Sequence, residues 1–121
     1  MAKGDDIQEK LIDFAVRIIH FSTKLPNSTT GKHIAGQILR SGTSPAPNYA
    51  EARSAESVND FIHKLKIALK ELNETKVWLQ IITQSKMLSV EDCFTLQKTC
   101  DELCRIISAS VKTALQRKNN A

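Results

Sequence analysis

Aromatic side chains are scarce in this chain, with one Trp, one Tyr and four Phe among 121 residues. A platform that stacks the bases of a single strand needs aromatics spaced along it, so that binding mode is not expected. Long apolar runs are missing as well, and none approaches the ~20 residues a membrane-spanning helix requires. The opening, MAKGDDIQEK, is too acidic and polar for a signal peptide, which predicts a cytoplasmic protein with no membrane partner. Glycine is thin at four residues, and the chain has no Gly-rich phosphate loop, no Gly-x-Ser-x-Gly elbow and no His-Glu-x-x-His pair. These absences predict a protein that is not an enzyme, with no cofactor and no small-molecule substrate.

Metal chemistry is equally unsupported. Cys93, Cys100 and Cys104 fall at intervals of seven and four, on one helical face with Leu96, Leu103, Ile107 and Val111. That is the pattern of small core residues in a reducing compartment, and the Cys-x-x-Cys knuckle of a thiolate site is absent. Glu51 and Glu71 suggest a carboxylate pair on neighbouring helices, but a di-iron bundle also needs a Glu-x-x-His on each of two helices, and none occurs. His20, His33 and His63 lie on different segments and read as surface or boundary residues.

What the chain does contain is amphipathic helix. Ile7, Leu11, Phe14, Ala15, Ile18, Phe21 and Leu25 repeat at three and four, so a first helix is expected over Asp5 to Lys24, with Asp5, Asp6 and Glu9 suited to its positive end. Ile12, Val16 and Ile19 lie beside that stripe and widen the apolar arc, which predicts contact with more than one neighbour. Pro26 ends this helix. A second helix runs from about Thr30 to Ser54, and Ser57 with Asp60 opens a third over Val58 to Gln84. Ser89 with Asp92 opens a fourth, whose polar end from about residue 116 is expected to fray. Short turns between four helices predict an all-α, antiparallel up-down bundle in one domain over residues 1–121.

Two features break the regularity. Pro45 and Pro47 fall inside the second helix; with Ser44 as an internal N-cap they predict an irregularity, because a first-turn proline lacks only a donor that would have no partner. If the helix carries through, Arg40, Ser44, Asn48 and Glu51 form one polar line, which either fixes the bundle's register or faces a partner. On the third helix Ile67, Trp78 and Ile81 lie nearly opposite Leu65 and Leu72, so they form a candidate oligomer interface.

The net charge of +4 is mild, and segments 1–25, 26–56, 57–88 and 89–121 carry 0, +1, +2 and +1. Contact with nucleic acid is permitted without being demanded. The best candidate surface is the outer side of the fourth helix, where Lys98, Arg105 and Lys112 recur every seven residues, supplemented by Arg117 and Lys118. Three such cations would neutralise backbone phosphates without reading sequence. Glu91, Asp101 and Glu102 lie close by, and a solvated charged face is the competing reading.

The central run LRSGTSPAPNYAEARSAESVNDFIHKLKIALKELNET resembles the small four-helix-bundle proteins encoded in intervening sequences of bacterial 23S ribosomal RNA genes. The positions that carry the resemblance are Leu39, Arg40, Ser41, Ser44, Asn48, Glu51, Ser57, Phe61, Ile62, Glu71 and Leu72. Ala52 departs from the pattern, in which Gly usually follows the glutamate. The resemblance implies a homopentameric ring with a central channel and RNA or a ribonucleoprotein as partner. It also offers an alternative, an accessory subunit of a nucleic-acid enzyme such as a retroelement reverse transcriptase; from a different class comes a plain protein-interaction or assembly module that binds no nucleic acid.

Overall fold

The computed structural model describes residues 4–120, in which five helical segments follow one another: α1 (Asp5–Ser22), α2 (Thr29–Thr43), α3 (Pro45–Arg53), α4 (Val58–Gln84) and α5 (Val90–Asn120). The second expected helix is thus divided at one residue. Ser44 keeps right-handed helical dihedrals (φ −63°, ψ −35°) and its side chain caps nothing, contrary to the expected N-cap. Instead the Asn48 side-chain amide donates to the Ser44 carbonyl at 3.0 Å and to its hydroxyl at 2.9 Å. Because Ser44 bridges them in helical geometry, α2 and α3 make up one of four rods.

Local chemistry explains the other boundaries. Ser28 accepts from the Gly31 amide at 3.0 Å, and Ser57 accepts from the Asp60 amide at 3.0 Å, each satisfying one orphan first-turn donor. Ser89 accepts from the Asp92 amide at 3.2 Å and donates to its carboxylate at 3.0 Å. Gly31 is required where it stands, since a Cβ there would collide with the Pro26 carbonyl. The C-terminal residues expected to fray are helical as far as Asn120. No glycine or proline interrupts them, and Arg117 and Lys118 suit the negative end of the helix dipole.

The core is the sum of the apolar stripes. Phe14 and Ile18 of α1, Ile38 of α2, Leu65, Leu72 and Leu79 of α4, and Leu103 and Ile107 of α5 are all essentially inaccessible to solvent. Helix α4 packs against α2, α3 and α5, whereas α1 packs against α2, α3 and α5, so α1 and α4 lie diagonally. Gly42 brings α2 close to α1, since a Cβ there would lie 2.8 Å from the Ile18 side chain. Cross-links fix the relative register. Lys10 meets Glu102 and Lys24 meets Asp92, so numbers rise along α1 as they fall along α5. Arg40 meets Glu71 while Glu51 meets Lys64, which gives the same relation between the α2–α3 rod and α4.

Two polar side chains are buried in this core, Ser41 and Thr75. The Thr75 hydroxyl lies 2.9 Å from both the Glu71 carbonyl and the Ser41 hydroxyl. Its single hydrogen serves the carbonyl and leaves its lone pairs to accept from Ser41, so neither group is stranded. No helix is long and apolar enough to cross a membrane among the described residues.

Candidate interaction surfaces

The seam between α4 and α5 is marked by three contacts: Lys76 with Asp101 at 2.7 Å, Cys100 donating to the Leu72 carbonyl at 3.2 Å, and Cys104 beside the Asn73 amide oxygen at 3.6 Å. Helical spacing places Lys98 and Arg105 just outside this seam, three residues before and four after Asp101, with Lys112 two turns further on. On α4 the same spacing from Asn73 brings Lys70 and Lys66 to the same outer face. All five cations are exposed, and none forms an ion pair with another described residue.

Two of the three acids that weighed against this surface in the sequence have other partners, while Glu91 stays exposed one heptad before Lys98. Asp101 is taken up by Lys76, and that hydrogen bond raises the lysine's pKa. Glu102 turns to Lys10 of α1 at 3.7 Å. The face that remains is therefore more positive than a count along α5 suggests. Lys66 and Lys70 were missed because they lie on another helix; their i, i+4 spacing was the available signal, and only the α4–α5 register joins it to the α5 line. Arg117 and Lys118 do not extend that line, since Arg117 borders a cavity at the end of the bundle.

Apolar exposure is distributed differently from the expected interface. Trp78 is half-buried: its ring meets His33 of α2 edge-on with centroids 6.3 Å apart, and its indole N–H donates to Glu74 at 3.0 Å. It seals the seam between α2 and α4, which the diametric placement on a helical wheel does not reveal. Ile67 is half-buried too, and Ile81 is 39% exposed. A more continuous apolar surface lies on α1, where Ile12, Val16 and Ile19 at i, i+4 and i+7 are 46%, 44% and 44% exposed. Leu39 of α2 is exposed as well, and so is Gly36, where an added Cβ would meet no atom within 4 Å.

Residues 4–109 match the family described as 23S rRNA-intervening sequence protein. The chain belongs to that family. Its fold is similar to the crystal structure of a protein of unknown function from the S23 ribosomal protein family of Bacteroides thetaiotaomicron VPI-5482. That protein is 37% identical, with a TM-score of 0.83, over 88% of this chain and 98% of the other. Among curated proteins nothing matches this chain.

In this intervening-sequence protein the polar line is satisfied within the chain. Arg40 reaches Glu71 at 2.8 Å and also binds Glu74, while Asn48 bonds to Ser44 and Glu51 accepts from Lys64 at 3.2 Å. Every cross-helix bond in the line ties the α2–α3 rod to α4. The cysteines are free thiols, with Cys93 and Cys100 buried and Cys104 half-buried. Its pairing with Cys100 holds the Cys104 pKa down, with the Lys76 charge assisting against burial; Cys100 is pushed up by the same pairing and by burial. Among the described residues no group of three or more His, Cys, Asp or Glu is arranged to hold a metal ion.

Proposed function

We propose that this protein is a non-enzymatic, cytoplasmic, self-associating up-down four-helix bundle, with its second rod interrupted by prolines, and that it binds RNA through the outer face of α4 and α5. The observation that carries the reading is the set of five exposed cations, Lys66, Lys70, Lys98, Arg105 and Lys112, none paired with a described residue, beside Asp101 and Glu102, which are engaged by Lys76 and Lys10. Such a face contacts phosphates and would recognise the shape of a structured RNA rather than its bases. Membership of a family named for 23S rRNA intervening sequences agrees with an RNA ligand. The test is titration of a labelled RNA hairpin at several salt concentrations. Binding should weaken steeply as salt rises and be lost when Lys98, Arg105 and Lys112 are changed to Glu; no binding at low salt, or no effect of the three changes, overturns the reading.

Self-association rests on the stripe Ile12, Val16 and Ile19 with Leu39, an apolar line left exposed by the described elements of the chain. The resemblance supports a ring of five copies as the form of that assembly. Sedimentation at micromolar concentration should show an oligomer that Val16→Glu dissociates. If Ile81→Glu dissociates it and Val16→Glu does not, the interface lies on α4 instead; a monomeric wild-type chain removes the assembly.

A further inference from the structure

At the end of the bundle where the N-termini of α1 and α4 meet the C-termini of α3 and α5, a cavity of about 590 Å³ opens to the surface. Its volume falls within the roughly 300–1,000 Å³ of small-molecule sites. Space remains there because α5 contributes small side chains, Ala109 and Ala114, where a larger residue would fill the gap. The floor is apolar, formed by Ile7, Phe61 and the buried ring of Tyr49. Gly4 lines one edge with φ +94°, and a Cβ there would lie 2.9 Å from the Tyr49 hydroxyl, so the chain passes over that hydroxyl only as glycine.

The polar side chains that line the cavity all carry hydrogen-bond donors. They are guanidiniums and hydroxyls, and no described carboxylate is among them. Arg53 is held by Asp5 and Gln8 at 2.8 Å each, which fixes its position and offsets its charge. Arg117 forms no ion pair with a described residue and supplies the net positive charge. Ser110 donates to the Ile106 carbonyl at 3.1 Å, leaving Thr113 and Tyr49 as hydroxyl donors. Burial raises the Tyr49 pKa, ahead of the opposing Arg53 charge, so this hydroxyl keeps its proton.

We propose that this cavity is a binding site for an apolar carboxylate, with the acyl or aryl body against Ile7, Phe61 and Tyr49 and the carboxylate on Arg117. Most of the site's lining comes from α1, α3 and α5, and the proposal does not rest on RNA binding. An apolar body accounts for the floor, and a carboxylate is a singly charged anion that a planar guanidinium binds through two parallel hydrogen bonds, matching the single uncompensated charge of Arg117. Calorimetric titration of the full chain with decanoate tests it. Decanoate should bind, and decan-1-ol, with the same chain and no charge, should bind at least tenfold more weakly. Arg117→Gln should weaken decanoate about tenfold or more, and Arg117→Lys should recover part of the loss. Ala109→Trp, at an exposed position whose methyl lines the cavity, should abolish binding while leaving helicity unchanged. Thr113→Phe gives a second filled variant should the first not fold. Absence of decanoate binding, equal affinity for decanol, or undiminished binding by a folded filled variant overturns the proposal.

Discussion

Lys86 closes the turn after α4 with φ 61°, the one described non-glycine residue at positive φ. Its amide bonds to the Thr83 carbonyl at 3.1 Å, which secures the turn but leaves a side chain in a left-handed conformation that glycine adopts at no steric cost. Lys86→Gly should therefore raise stability by about 0.5–1 kcal/mol, read as a higher urea midpoint at unchanged slope. Gly31→Ala should do the reverse, because the clash with the Pro26 carbonyl is with backbone that has nowhere to move. Among the thiols, Cys104 has a pKa held below the ordinary cysteine range and is half-buried, so its thiolate fraction rises at lower pH than that of a free cysteine. Peptide mapping after brief iodoacetamide treatment should find Cys104 alkylated first. Cys93 and Cys100 should react only on unfolding, since both are buried and Cys100 is held protonated.

Between helices, the strongest polar tie is Arg40, whose guanidinium spans Glu71 and Glu74 while Glu71 is only 13% exposed. Arg40→Met should cost about 1 kcal/mol, whereas breaking the fully surface-borne Lys10–Glu102 pair by Lys10→Met should change stability by only a few tenths. Gly36→Ala separates two effects: no intrachain atom opposes the methyl, so helix propensity should stabilise the protomer by up to ~1 kcal/mol. If copies meet on α1 and α2, the same change should lower the sedimentation coefficient at a given concentration. Helix positions were readable because stripe, cap and turn residues agree: Ser57 and Ser89 bond as their spacing implies. The Ser44 junction was harder, because a proline signals a missing donor without saying whether the backbone will turn or continue. Arg117, grouped by charge with Lys98, reaches a different site, since a helix that overshoots its neighbours presents its last turns at the end of the bundle. Trp78 was misplaced for a related reason: a helical wheel shows direction from one axis and nothing of how far a neighbour such as His33 reaches around it.

For the whole molecule, the decisive quantity is how RNA affinity depends on salt. Lys66→Gln with Lys70→Gln should flatten the slope of log affinity against log salt by about two if both lysines contact phosphate. An unchanged slope would confine the contact to α5. The two faces are on different helices, α1 and α2 for apolar exposure and α4 and α5 for charge, so the Glu variants of one should leave the other's property intact. Assembly and RNA affinity can then be measured separately. The lone tryptophan, wedged between Glu74 and His33 where the two halves of the chain meet, gives the molecule a built-in optical gauge. Its emission should shift to longer wavelength as soon as the α2–α3 rod lifts from α4, reporting that parting without any added dye.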